Sequence, residues 1–142
     1  YKYRGIPDLG SRLAELFIYH IQLPEVDLVT AIPPDPKRKK QRGFDHTELI
    51  AKQLSALLDV PYYPTLTKTK ATASQASTQT KSERKERLSE LFERLPNTQN
   101  FSHKKILLID DVCTTGSTLR ECTKLLEMTG ATVYPAVFCM RI

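Results

Sequence analysis

Apolar residues fall along this chain in two rhythms. Short unbroken aliphatic runs mark strands buried on both faces, and runs spaced by three and four mark amphipathic helices. Leu9, Leu13, Leu16, Phe17 and Ile21 keep helical spacing, with Asp8 as the expected N-cap and Pro24 as the stop. Tyr19 and His20 within that helix are expected at its surface or at the edge of the core. Val26 to Ile32 reads as the first buried strand, closed by Pro33-Pro34-Asp35-Pro36, which neither a helix nor a central strand absorbs. Thr47 to Leu58 predicts a second helix, its stripe formed by Leu49, Ile50, Leu54, Leu57 and Leu58.

Val60 to Leu66 follows as a second strand, placed at an edge by Pro61 and Pro64. Thr67 to Lys81 has no glycine and no large apolar residue, only Thr, Ser, Lys, Gln and Ala, and predicts a mobile polar loop. Ser82 to Leu95 predicts a third helix with Leu88, Leu91, Phe92 and Leu95 inward. After a turn-rich break at Pro96 to Ser102 come the strand Ile106-Leu107-Leu108-Ile109 and a helix with Leu119, Cys122, Leu125 and Leu126 inward. A stop at Thr129-Gly130 and a final strand from Thr132 to Met140 complete the chain. Alternating strands and helices imply an α/β fold: a mainly parallel sheet with right-handed crossovers, in a single domain over residues 1–142.

One junction in this pattern carries chemistry. Asp110 and Asp111 stand where the Ile106–Ile109 strand should end, and Val112-Cys113-Thr114-Thr115-Gly116-Ser117-Thr118 leads into the next helix. The first N–H groups of a helix have no partner within it and carry partial positive charge, so they suit a phosphate. Thr114, Thr115, Ser117 and Thr118 add hydroxyl donors, and Gly116 allows close approach of the backbone. The carboxylates would repel a phosphate unless they face sugar hydroxyls or a bound cation. A ribose 5-phosphate offers hydroxyls at one end and phosphate at the other, matching acceptors followed by donors.

Composition narrows the setting. A chain of 142 residues fits one domain able to bury about 68–70% of its unfolded surface. The formal charge of +5 points to anionic partners, phosphorylated ligands or nucleic acid. No apolar run approaches the ~20 residues that cross a bilayer, and no secretory signal opens the chain, so no membrane insertion is expected. Cys113, Cys122 and Cys139 are odd in number and lack Cys-x-x-Cys spacing, which indicates neither a disulfide framework nor a zinc site. A reduced, cytoplasmic protein is expected.

Ile106 to Thr118 resembles the phosphoribosyl pyrophosphate (PRPP) signature of type I phosphoribosyltransferases: an apolar strand, two acidic residues, then Thr-Thr-Gly-Ser-Thr. It is not a Walker A loop, because no Gly-Lys-Ser/Thr follows the glycine. The segment Lys37-Arg38-Lys39-Lys40-Gln41-Arg42-Gly43-Phe44-Asp45-His46 is similar to the Arg-Gly-Phe-Asn-Gln segment of the ComF family, the competence-associated branch of phosphoribosyltransferases. Here Asp45 and His46 stand where that family more often has Asn and Gln. ComF proteins usually carry an N-terminal zinc-binding Cys cluster before this region. The sequence lacks it, which suggests a shortened relative or an isolated transferase domain.

The resemblance implies a type I phosphoribosyltransferase-like fold with a lid loop, and displacement at ribose C1 with pyrophosphate leaving. Asp110 and Asp111 would accept from ribose hydroxyls and fix water on a Mg²⁺ that enters with PRPP, with no metal ligand assigned directly. Cys113, Thr114, Thr115, Gly116, Ser117 and Thr118 would hold the 5-phosphate. Ile32, Pro33 and Pro34, with Lys37 and Arg42 of the basic run after them, would contact pyrophosphate. In the lid, Lys68, Lys70 and Lys81 are the candidates to bring a catalytic cation to the departing group, Lys68 and Lys70 foremost, with Arg84 and Arg87 close behind. The family's Gln and Arg fall either on Gln79 with Arg87 or on Gln75 with Arg84.

A ComF relative implies PRPP as ligand, with single-stranded DNA and competence-machinery proteins as partners in DNA uptake. Against a single-strand platform, the basic segments are not interleaved with aromatics. The alternative is a nucleobase-salvage transferase moving ribose 5-phosphate from PRPP to a base. No residue in the sequence identifies itself as a base-recognition pocket.

Overall fold

The computed structural model describes residues 6–34, 45–69, 91–96, 100–113 and 115–140. Its elements are α1 (Ile6–His20), β1 (Leu28–Ala31), α2 (His46–Leu57), β2 (Leu66–Lys68), β3 (Phe92–Arg94), β4 (Lys105–Cys113), α3 (Ser117–Glu127) and β5 (Thr132–Met140). Three strands form a parallel sheet in the order β1-β4-β5, and β2 pairs with β3 in a separate antiparallel ribbon. Lys68, Lys70 and the rest of the expected lid divide here. Lys68 ends β2, whereas residues 70–90 lie outside the described residues.

β4 sits at the centre because it is apolar on both faces. Ile106, Leu107, Leu108 and Ile109 are all fully buried. Alternation sends Ile106 and Leu108 to one face, where they meet Leu66, Phe92, Cys122 and Leu126. Leu107 and Ile109 face the other way, onto Phe17 of α1 and Ile50 and Leu54 of α2. Helices therefore cover both faces, as a parallel sheet requires. Phe17 also stacks on Phe138 of β5, ring centroids 4.5 Å apart.

Several expectations need correction. α1 begins at Ile6, so Asp8 lies inside the helix and is not its N-cap. Pro7 falls in the first turn, where no N–H is missed. Leu16 and Ile21 are exposed rather than inward, since the buried stripe runs through Ala14 and Phe17. The predicted strand from Val60 to Leu66 is reduced to one parallel bridge, Tyr62 beside Val29, held by Val29 N–H to Pro61 O (3.0 Å) and Tyr63 N–H to Val29 O (3.1 Å). Pro61 and Pro64 have no N–H to continue a ladder, and β2 starts only at Leu66.

The C-terminal end of the predicted Ser82–Leu95 helix is a strand instead. Leu66, Thr67 and Lys68 pair with Arg94, Glu93 and Phe92, and flanking bonds run from Thr69 N–H to Leu91 O (2.8 Å) and Leu95 N–H to Thr65 O (2.9 Å). Phe92 alone of β3 turns inward, while Glu93 and Arg94 face solvent.

A buried hydroxyl pair ties this ribbon to the main sheet. Thr30 of β1 and Thr65, both fully buried, share a hydrogen bond of 2.8 Å between their Oγ1 atoms. Thr30→Val should destabilise the fold by about 1–3 kcal/mol, because it leaves the Thr65 hydroxyl buried without its partner. The double variant Thr30→Val, Thr65→Val should recover most of that loss in urea unfolding.

Candidate active site at the carboxyl edge of the sheet

Open α/β sheets bind ligands beyond the carboxyl ends of their strands. At that edge β4 is longer than its apolar core. The strand does not end before the carboxylates but runs on through Asp110 and Asp111 to Cys113, paired with β5 as far as Met140. β1 stops earlier, its last ladder partner being Ala31 opposite Ile109, and Ile32 N–H then donates to Ile109 O at 2.9 Å. Ile32, Pro33 and Pro34 are thereby placed beside the beginning of the acidic pair.

Adjacent residues of a strand point to opposite faces. Asp110 continues the Ile106–Leu108 face toward α3, and its charge reaches the buried Cys122 thiol there. Burial first, then Asp110 and Glu121, pushes that thiol up to about 12. Alternation carries Asp111 to the opposite face, with Leu107 and Ile109. Both aspartates are partly buried. Split in this way, the pair cannot close a metal cage alone, and no group of three or more His, Cys, Asp or Glu converges among the described residues. The carboxylate oxygens do fit a magnesium ion that arrives on a phosphorylated ligand and keeps its water.

Beyond β4 the chain turns into α3 at Gly116, whose φ of 71° is left-handed and therefore suited to glycine. Thr115 Oγ1 and Ser117 Oγ share a 2.8 Å hydrogen bond, and Ser117 N–H points to Thr115 Oγ1 at 3.4 Å. Arg120, one turn into the helix, donates from Nη2 to Thr115 O at 3.1 Å and holds the loop by its carbonyl. Thr115, Gly116, Ser117 and Thr118 are thus gathered around the start of an 11-residue helix. Cys113 ends β4. Thr114, Lys37, Arg42 and Lys70 lie outside the described residues.

Lys68 belongs to a different part of the same edge. A cavity of about 420 Å³ lies beyond β1, with Ile32, Pro33 and Pro34 on one side and Thr67 and Lys68 on another. Asp45, Glu48 and Tyr62 also line it, with Ala31, Pro64 and Leu66. Asp45 is the N-cap of α2, its Oδ1 accepting from Thr47 N–H at 3.1 Å. Glu48 pairs with Lys52 at 2.8 Å, and the Lys52 ammonium also lies 5.5 Å from the Tyr62 ring centre. Tyr62 is held protonated by burial first, then by the negative charges of Glu48 and Asp45. The Lys68 ammonium stands 5.9 Å from the Phe92 ring centre. A slightly larger cavity, about 470 Å³, opens near Asp27 and Lys105 at the opposite, amino-terminal edge, away from the acidic pair.

The sequence marks Asp45 and His46 as departures from a family pattern at a helix start, and it singles out neither Glu48 nor Tyr62. The Asp-x-x-Glu spacing of Asp45 and Glu48 is a helix-start signal and locates both. Nothing local marks Tyr62.

Comparison with known proteins agrees with this geometry. Residues 47–142 match the family model of the phosphoribosyl transferase domain. The chain is 34% identical over 113 residues to Competence protein F of Haemophilus influenzae, covering 79% of this chain and 48% of that protein. It is 33% identical over 138 residues to DNA utilization protein YhgH of Escherichia coli K12, covering 92% and 57%. The chain thus spans about half the length of these relatives. Among solved structures, the glutamine phosphoribosylpyrophosphate amidotransferase of B. subtilis, complexed with ADP and GMP, superposes with a TM-score of 0.62 at 20% identity. That match covers 94% of this chain and 26% of the other and bears on the fold alone. With a parallel sheet, an acidic pair ending its central strand and a hydroxyl-rich turn into the next helix, the chain belongs to the phosphoribosyl transferase domain family, in the ComF branch that holds Competence protein F and YhgH.

Proposed function

We propose that this chain is a PRPP-binding domain that serves DNA uptake or DNA utilisation, as the names of its relatives suggest. The observation that carries the ligand assignment is the β4–α3 junction. Acceptors at Asp110 and Asp111 precede a left-handed glycine and a helix start lined by hydroxyls. Backbone N–H groups of Gly116, Ser117 and Thr118 receive the 5-phosphate, with the Thr115, Ser117 and Thr118 hydroxyls beside them. Cys113, at the end of β4, and Thr114, next in the chain, belong to the same binding segment. Asp110 and Asp111 accept from the ribose hydroxyls, and Ile32 to Pro34 border the pyrophosphate, with Lys37 and Arg42 following in the chain. Lys68 and Lys70 supply positive charge to the leaving group. Mg²⁺, bound with PRPP, supplies charge neutralisation on the pyrophosphate.

Calorimetric titration of the chain with PRPP, with and without Mg²⁺, tests this directly. Saturable binding that strengthens with the metal is expected, and no heat of binding in either condition would overturn the assignment.

The second reading, nucleobase salvage with transfer of ribose 5-phosphate to a base, gains weight from the cavity at Asp45, Glu48 and Tyr62. Pyrophosphate release from PRPP with each common base in turn separates the two. Single-stranded DNA as a further partner rests on the net charge of +5 and on the relatives' names.

A further inference from the structure

We infer that Arg120 is a positioning residue of the β4–α3 turn: it aims the backbone N–H groups of Gly116 and Ser117 away from the helix and toward a ligand. Arg120 engages two successive carbonyls. Its own N–H donates to Gly116 O at 3.0 Å, and its side chain returns from Nη2 to Thr115 O at 3.1 Å. A trans peptide is planar, so its N–H points opposite to its carbonyl. Holding Thr115 O therefore fixes the direction of Gly116 N–H, and holding Gly116 O fixes that of Ser117 N–H. Ser117 N–H reaches Thr115 Oγ1 only at 3.4 Å, long for a hydrogen bond, and is readily surrendered to a ligand oxygen.

Such a latch matters at this turn in particular. Gly116 is the N-cap of α3, at φ 71° and ψ 3°, and no side chain caps the helix. Glycine adopts either sign of φ at little cost, so nothing in the residue itself stops the Thr115–Gly116 peptide from rotating. A rotated peptide would present its carbonyl, which repels an anion, where the N–H now points. Stability of α3 does not account for the arginine. A cation in the first turn of a helix opposes the helix dipole, and that turn carries no acid. Arg120 is exposed and has no ion-pair partner among the described residues. The bearing of the latch on the 5-phosphate rests on the PRPP assignment; the latch itself does not.

The test is Arg120→Met in the full chain, which keeps an unbranched apolar side chain and removes the donors. In nitrogen–proton correlation spectra the Gly116 amide should give one sharp signal in the unmodified protein and a broadened or doubled one in the variant. The amide of Gly130, also left-handed, should be unchanged. Calorimetric affinity for PRPP with Mg²⁺ should fall about tenfold, while affinity for magnesium pyrophosphate, which lacks the 5-phosphate, stays within about twofold. The tenfold ratio should persist at about 1 M salt, where charges more than ~3 Å apart are screened. The unfolding midpoint should move by less than about 2 °C, which separates the effect from loss of the fold. An unchanged Gly116 signal would overturn the latch. Undiminished PRPP affinity, an equal loss toward pyrophosphate, or a loss that vanishes in salt would overturn its role in binding. Failure of PRPP to bind the unmodified chain, with the Gly116 signal perturbed only in the variant, would overturn the sugar-phosphate assignment and leave the latch standing.

Discussion

Replacing Asp110 and Asp111 together by asparagine weakens PRPP binding about 100-fold in calorimetry, while the far-ultraviolet spectrum and the unfolding midpoint change little. Hydrogen bonds to a charged acceptor contribute about 1.5–3 kcal/mol, and losing one or two of them gives a loss of that order. Asparagine matches aspartate in shape, so the β4 ladder with β5 through Val137 and Cys139 is undisturbed. The single variants should differ in character. Asp110 lies on the α3 face, beside the helix start, and Asp111 on the face of α1 and α2. Undiminished affinity in the double variant would remove the carboxylates from the site.

Leu108→Ala destabilises the chain by about 2–5 kcal/mol and lowers its thermal midpoint by roughly 10 °C. Leu108 is fully buried on the central strand, in the cluster where β4, α3 and the β2–β3 ribbon meet. Alanine there leaves a cavity bordered by three elements that cannot all close inward. Leu16→Ala is the matched control. Leu16 is 55% exposed on α1, and its truncation should move the midpoint by less than about 2 °C. Equal losses at the two positions would mean that β4 is not the core of the sheet.

The sheet and its acidic edge were legible in the sequence for a physical reason. A strand buried on both faces is a near-continuous apolar run, so Ile106–Ile109 and Leu28–Ala31, interrupted only by the hydrogen-bonded Thr30, declare themselves without knowledge of their neighbours. The β4–α3 turn is equally local: acceptors, hydroxyls and one glycine within nine residues. The β2–β3 ribbon was not legible. Leu88, Leu91, Phe92 and Leu95 are spaced as on a helix, and nothing nearby reveals that Phe92 pairs across to Lys68. Three-residue strands carry too little pattern, and their stability comes from a partner over twenty residues away. The cavity was hidden for the same reason. Asp45, Tyr62 and Lys68 come from a helix cap, a proline-broken edge and a ribbon, and only the folded chain brings them together.

Gly116 has a consequence for how this protein can change. A glycine at the helix start, with no capping side chain, gives up about a few tenths of a kcal/mol that Asn, Asp or Ser would supply. Asparagine, which tolerates the left-handed backbone, is the replacement that could recover part of it. A library selected only for heat resistance should therefore enrich Gly116→Asn. Its side chain would then occupy the N–H groups assigned to the 5-phosphate, so the same selection would erode ligand affinity. Retaining glycine at that turn under thermal selection would require a simultaneous selection for binding.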